Sequence, residues 1–413
     1  MNQTSTATRH KNPPPNSREG GLKGFLAGGQ ANLECWRFEA AISDYAAALD
    51  QHPDSVPALL GLGRAYQELS RGEDALKAFE RAVQLAPADP EPHYLQGSLL
   101  VVLNRYEAAL SAYRRAIEAD GDHADAISGL CWALRILGRL DEAIEAGRKA
   151  VALNPNRDNY SHLLFALMAA DHCQAAEETC AAGMRDVAFF SGALAFLPSA
   201  LEGQNRRQEG QRLVDLDLLS TVSIDPPLPY ANLGAFNDAL VKQVLDFPTR
   251  PFDDTQTRNM AIDAAGPMLA FLDVIQKQIE AYQQRLRPDS THPFLAHRLD
   301  NWDFDIWGTI LSDYYNPEPH FHQHSWISGV YYAKVAGVID DPDNVENGYI
   351  QFARFFQYSD RPVPSDALAI KPVEGMMLIF PSYFYHRVLP FKSPDLRISL
   401  AFNAIPTQDA GSN

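Results

Sequence analysis

Residues 72–87 read GEDALKAFERAVQLAP, and the same pattern stands at 38–53 (FEAAISDYAAALDQHP), 106–121 (YEAALSAYRRAIEADG) and 140–155 (LDEAIEAGRKAVALNP). Alanine recurs at a step of 34 as Ala41, Ala75, Ala109 and Ala143, and again as Ala48, Ala82, Ala116 and Ala150. Ile42, Leu76, Leu110 and Ile144 keep the step, as do Tyr45, Phe79 and Tyr113, with Gly147 breaking the aromatic series. Upstream in each unit stand Gly29, Gly63 and Gly97, with Cys131 in the fourth. Pro53, Pro87 and Pro155 end three units, and Gly121 fills the remaining slot. A period of this length implies stacked helix pairs: small residues let antiparallel helices approach, and large apolar ones fill the groove to the next pair. Proline after the second helix stops it, because it lacks an N–H and clashes with the preceding turn.

This spacing and residue choice resemble tetratricopeptide repeats (TPR), with four units over residues 25–157. A drifted fifth unit follows at 158–186, where Ala175, Ala176, Ala181 and Ala182 keep the small-residue character. The resemblance implies an all-α solenoid over 25–186 whose groove takes a protein or peptide. Cys131 and Trp132 lie on a periodic helix and are read as core packing.

Working outward, the 413 residues suffice for more than one domain, and 46% apolar with 21% charged residues is ordinary globular composition. The formal charge of −17 sets the chain against phosphate backbones and anionic lipid surfaces, so nucleic acid and membrane are not expected partners. Residues 1–24 are polar, rich in Pro and Gly, without the apolar run of a signal peptide, and are expected as a mobile arm. No run of roughly 18 apolar residues suggests a membrane span. The four cysteines, Cys35, Cys131, Cys173 and Cys180, are scattered and form no C-x-x-C pair, which points to reduced thiols and a cytoplasmic setting.

The period is lost over 187–230, which is expected as a connecting segment. QNRRQEGQRL suggests an exposed helix, and SIDPPLPYANLG a proline-rich link. Helical apolar spacing returns near 235–247 and 267–286, giving helical support over 231–287. From about 300 the pattern changes. FDIWGTILSDYY, SWISGVYYAKV, GYIQFARFF, EGMMLIFPSYFYHRVLP and LRISLAFNAIP are rich in β-branched and aromatic residues and separated by turn residues. They predict five or more mostly antiparallel strands in a sandwich or barrel over 300–406, ahead of a tail at 407–413.

Histidines gather in this part. His320, His322 and His324 lie in PEPHFHQHSW, and His386 follows on a later strand. Residues i and i+2 of an extended segment point the same way, so His320 and His322 can grip one ion, with His386 closing a triangle that leaves other positions open. Downstream of His386, LPFKSPD reads as a turn that pairs two strands as a hairpin. Arg397 then stands about 10 Å along the strands from His386, a separation that suits a small diacid chelating the metal at one end and meeting the guanidinium fork at the other. Ser399 faces the same side. Tyr331, Tyr332, Phe352 and Phe380 are read as core, and the acidic run IDDPDNVEN as a solvated loop.

In order and spacing, HFHQHSWISGVYY, GYIQF, EGMMLIFPSYFYHRVLPF and RISLAFN resemble the double-stranded β-helix (jelly-roll) 2-oxoglutarate/Fe(II) oxygenases. The resemblance implies a multidomain chain: an all-α TPR solenoid, then an α+β domain over 231–406 built on a double-stranded β-helix barrel. It also implies Fe(II), 2-oxoglutarate and O2 as cofactor and co-substrates. By position His320, His322 and His386 become metal ligands, Arg397 and Ser399 the co-substrate anchor, and Tyr314 a further co-substrate contact.

The family's usual proximal pair is H-x-D or H-x-E, whereas this chain has H-x-H. Three neutral imidazoles leave an Fe(II) site at +2 before 2-oxoglutarate binds. Two alternatives stay open: His324 in place of His320, and a carboxylate such as Asp313 as a ligand. The expected function is an Fe(II)- and 2-oxoglutarate-dependent dioxygenase that hydroxylates a TPR-recruited protein or peptide. Against it stand a TPR scaffold whose barrel is catalytically silent and a three-histidine oxygenase that uses no 2-oxoglutarate; Arg397 argues against the latter.

Overall fold

The computed structural model describes residues 21–35, 37–246, 258–259, 266–312, 319–340, 346–353 and 367–407. Tyr314 and Asp313 lie outside the described residues, as do most of the 1–24 arm, the end of the tail and the middle of the acidic loop. The described part forms two compact units, one running up to Ala170 and one from Asp171 onward. Among the described residues no helix is long and apolar enough to cross a membrane, and none of the four cysteines is in a disulfide.

The first unit is entirely helical: α1 (Leu22–Glu34), α2 (Phe38–Gln51), α3 (Val56–Glu68), α4 (Gly72–Leu85), α5 (Pro90–Val102), α6 (Tyr106–Ala119), α7 (Ala124–Ile136), α8 (Leu140–Leu153) and α9 (Arg157–Ala169). The starts of α3, α5 and α9 are capped by Ser55, Asp89 and Asn156, whose side chains accept backbone N–H bonds that the first turn leaves open. The turns inside successive pairs each place one residue in the left-handed region: Ser70, Asn104 and Gly138, again 34 apart.

The repeat glycines are close-approach sites. A Cβ on Gly97 would stand 2.7 Å from the Tyr113 ring, and one on Gly129 only 2.4 Å from it. In the fourth pair the roles are exchanged. Gly147 replaces the aromatic, and its would-be Cβ lies 3.1 Å from both Cys131 Sγ and Leu163 Cδ1, the residues that hold the two glycine slots there. The break in the aromatic series is thus a compensated repacking that keeps the interior filled.

The second unit begins with α10 (Cys173–Asp186), α11 (Ser191–Gly203) and α12 (Arg207–Leu213). The stretch 187–230, expected as a connection, therefore holds two helices. It also holds β1 (Ser220–Ser223), which pairs with a central-sheet strand. The four-residue STVS is too short to carry a readable alternation before the prolines that follow it. Next come α13 (Leu233–Asp246), β2 (Arg258–Asn259), α14 (Pro267–Arg285), β3 (Trp302–Leu311), β4 (Ile327–Lys334), β5 (Ile350–Ala353), β6 (Leu368–Ile370), β7 (Met376–Pro381), β8 (Tyr385–Val388) and β9 (Arg397–Pro406). They build a six-stranded sheet, ordered β1-β7-β4-β9-β3-β2, and a three-stranded sheet, ordered β6-β5-β8, with every pairing antiparallel.

This arrangement corrects the expected hairpin. β8 pairs with β5 in the small sheet, while β9 lies between β4 and β3 in the large one. The turn after His386 carries the chain from one sheet to the other, so pairing along a hairpin does not set the distance from His386 to Arg397. The large sheet has two distinct faces. Ile306, Ile310, Tyr331, Leu400 and Phe402 pack with Phe236 of α13 and Phe271 of α14 in one apolar cluster, and Tyr331 Oη bonds Asn237 Oδ1 at 2.5 Å. By the alternation of strands, Asp305, Trp307, Ser328, Tyr332, Arg397, Ser399 and Asn403 belong to the opposite face.

Candidate metal centre

His320 and His386 face each other across a bridge in which each main-chain N–H donates to the other's carbonyl, at 3.0 and 2.9 Å. A pair that exchanges both bonds presents its side chains on one side. The His322 N–H donates to the Ser382 carbonyl at 2.9 Å, which places the second imidazole of H-x-H over the same spot. One ring nitrogen from each of His320, His322 and His386 lies within 4.8 Å of the other two. His324 is exposed and stands outside this group.

The ring nitrogens converge. His386 Nδ1 donates to the Phe384 carbonyl at 2.9 Å, so its Nε2 carries the free pair. That Nε2 lies 3.3 Å from His322 Nε2. Without a metal, His322 Nε2–H can donate to this lone pair; with the His322 proton on Nδ1 instead, both Nε2 lone pairs face one point that a cation can join. Adjacent ligands at metal–nitrogen bonds of about 2.1 Å stand about 3 Å apart, so the donor set fits a divalent transition metal. Burial and the neighbouring His320 push the His322 pKa down to about 3. Burial, then His320 and His322, hold His386 well below its ordinary value, so His322 and His386 are neutral imidazoles at neutral pH, the form that ligates a metal.

The surroundings are apolar on one side and hydroxyl-rich on the other. Phe352, directly opposite His386 on β5, and Phe380 lie with ring centroids 5.7 and 4.9 Å from it. Trp307 lies 5.6 Å from His322. Behind His322, Asn403 contacts Nδ1 at 3.5 Å, and its other amide atom bonds Ser328 Oγ at 2.7 Å. Ser382 Oγ links Ser328 and Ser325 at 2.7 and 2.9 Å. Ser191 at the start of α11 donates to the main-chain carbonyls of His322 and Gln323 at 3.0 and 2.9 Å.

Arg397 is 2% exposed, yet it has no carboxylate partner among the described residues. Its Nε is buried without a hydrogen-bond partner among the described residues. Its polar neighbour is Tyr332, whose ring lies 5.1 Å from the guanidinium carbon and whose hydroxyl, off ideal hydrogen-bond geometry, acts to raise the guanidinium pKa against the larger lowering by burial. Ser399, also buried, is the cross-strand partner of both Tyr332 and Thr309. From Ala401, opposite Trp307, the strand runs about 13 Å to Arg397 at roughly 3.3 Å per residue. The long arginine side chain closes part of that distance.

Asn403, Ser328 and Trp307 escaped the sequence reading. The signal available was a polar residue at an inward position of an otherwise apolar strand, the Ser in ISGVYY and the Asn in SLAFN. Tyr332, read as core, is core and also the neighbour of Arg397.

The fold and this cluster define a helical-repeat protein followed by a sheet domain carrying a three-histidine group. The chain carries tetratricopeptide repeats, matched by family models over residues 37–99 and 94–158, and a C-terminal domain of the family described as "Putative 2OG-Fe(II) oxygenase", matched over 305–403. Among solved structures, the chain is similar to MamA (26% identity over 44% of this chain and 96% of that one, TM-score 0.33). It is also similar to TTC0263, a thermophilic TPR protein of Thermus thermophilus (20%, 46% and 98%, 0.36), and to pilF of Pseudomonas aeruginosa (17%, 47% and 91%, 0.41). No curated protein matches the chain.

Proposed function

We propose that the chain is an Fe(II)- and 2-oxoglutarate-dependent dioxygenase that hydroxylates a protein or peptide recruited by its repeats. In this reading the two sheets form a double-stranded β-helix, and the protein works in the reducing cytoplasm, where its thiols stay free. The observation that carries the reading is the buried, carboxylate-free guanidinium of Arg397 in the domain that also gathers three imidazoles. A buried cation without an anion is costly, so the site calls for an anionic ligand.

His320, His322 and His386 would hold iron. Arg397, with Ser399, would hold the distal carboxylate of 2-oxoglutarate by its planar fork. The chemistry supplied at such a centre is oxidative decarboxylation of 2-oxoglutarate by O2 to succinate and CO2, with the second oxygen atom entering a substrate C–H bond. The protein orients the ligands through the His320–His386 bridge, fixes the His386 tautomer through the Phe384 carbonyl, and keeps water away with Phe352, Phe380 and Trp307.

The test is anaerobic addition of Fe(II) and then 2-oxoglutarate to purified protein, followed by admission of O2. A visible charge-transfer band and succinate formation support the reading. Metal binding with neither band nor succinate would instead establish the scaffold with a catalytically silent barrel.

A further inference from the structure

In the repeat unit a surface cavity of about 280 Å³ opens between α5, α7 and α9, the first helices of three successive pairs. Its lining combines Tyr94 and Trp132 with Asp125, Asp158 and Asn159. Asn159 is 1% exposed, and its Nδ2 is committed to the carbonyls of Ala150 and Asn154 at 3.2 and 2.8 Å. Its amide is thereby fixed in place at the floor of the cavity. Asp125 is exposed and has no basic partner among the described residues.

Neighbouring cations leave this charge unmet. Arg64 is bound to Glu91 at 2.7 Å, and Arg135 stacks on the indole of Trp132, its guanidinium carbon 4.1 Å from the ring centre. Tyr94 feels Asp125 and Glu91 as raising its phenol pKa, although burial is the larger cause and Arg64 opposes. An occupant must therefore bring a cation for Asp125 and an apolar stem for the aromatic wall. A basic side chain supplies both.

The geometry points to a pocket for a lysine or arginine side chain on an extended partner segment, seated between Tyr94 and Asp125 with Asn159 beneath. As a statement about substrate it rests on the oxygenase reading and narrows it to basic protein segments. The acidic chain as a whole, at −17, favours such partners.

The test uses the full chain and immobilised random octapeptide pools with one fixed central residue: lysine, arginine, glutamate or norleucine. Lysine and arginine pools should retain the protein about 5-fold better than the norleucine pool, the scale of an ion pair near a surface. The preference should vanish in Asp125→Asn and turn toward glutamate in Asp125→Lys, an exposed position where folding is not at stake. Equal retention by all pools, or a lysine preference that survives Asp125→Lys, overturns the inference. The visible band with Fe(II) and 2-oxoglutarate is recorded on the same variants. A band without pool preference removes the pocket alone, and pool preference without a band removes the oxygenase reading alone.

Discussion

His322 Nε2 and His386 Nε2 stand 3.3 Å apart, each imidazole brought there by main-chain hydrogen bonds: His386 through His320, His322 through Ser382. Because the positioning is backbone-borne, side-chain truncation removes a ligand without removing the strand pairing. We expect His386→Ala to lower Fe(II) or Co(II) affinity by more than about 100-fold, above the range for orienting residues. Its circular dichroism should remain that of the parent. Anaerobic equilibrium dialysis with metal analysis reads the loss; a full equivalent of tightly bound metal in His386→Ala would exclude this site.

Arg397 governs a different ligand. Replacing it by Gln removes charge-assisted bonds worth about 1.5–3 kcal/mol each, so the Kd for 2-oxoglutarate should rise about 10- to 100-fold while metal affinity holds. Arg397→Lys restores charge but not the fork and should recover little. Titration of the charge-transfer band against 2-oxoglutarate measures both. An unchanged Kd in Arg397→Gln would assign the buried guanidinium to structure alone.

The hydroxyl cluster behind His322 acts through Asn403. With the metal on Nε2, His322 Nδ1 carries the proton and needs an acceptor. The Asn403 amide is within reach, its Nδ2 3.5 Å away with Oδ1 on Ser328, and turning that amide over brings Oδ1 to the ring and Nδ2 to the hydroxyl. Asn403→Ala should weaken metal binding about 10- to 100-fold, and Ser328→Ala less. The affinity for 2-oxoglutarate at saturating metal should stay put in both. A matching loss of 2-oxoglutarate affinity would show a general collapse of the sheet face instead of misplacement of one ring.

The repeats were legible because each helix pair repeats one packing problem, and the solution leaves small residues at fixed positions such as Gly63 and Gly97. The histidine group was legible because alternation along an extended segment is local: it ties His320 to His322 without knowledge of the rest of the chain. Strand partnership is not local. LPFKSPD looks like a hairpin turn whether the next strand pairs with β8 or crosses to the other sheet, and only the competition for β3 and β4 decides. β1 was invisible because four residues carry no readable alternation, and its partner β7, far along the chain, gives no local signal to make up for that.

The exchange of roles in the fourth helix pair makes a prediction about packing. Gly97→Cys alone would push a Cβ to 2.7 Å from the Tyr113 ring and should cost about 1–3 kcal/mol. Tyr113→Gly alone should cost about 3–5 kcal/mol through the cavity it leaves. Together they approximate the Cys131–Gly147 pairing, so the double variant should be less destabilised than the sum by about 1 kcal/mol or more. Urea unfolding followed by far-ultraviolet circular dichroism supplies the cycle. Strict additivity would mean that the two positions do not share one packing site.

His162 sets an acid limit on the repeat unit. It bonds Ser128 Oγ at 2.8 Å beside Trp132, and burial lowers its pKa to about 4, with Asp158 opposing and Arg135 reinforcing the shift. The folded value lies below the ordinary one of about 6.5. The unfolded chain therefore takes up a proton first as pH falls, and stability declines between about 6.5 and 4. The slope approaches 1.4 kcal/mol per pH unit at most, and the contribution is complete above 6.5. Other histidines add their own slopes, so the informative quantity is the difference between the parent and His162→Gln in urea midpoints at pH 7, 6 and 5. The variant should lose less stability on acidification. Parallel lines for the two proteins would mean that the folded chain protonates this ring as readily as the unfolded one, which the burial of the ring should forbid.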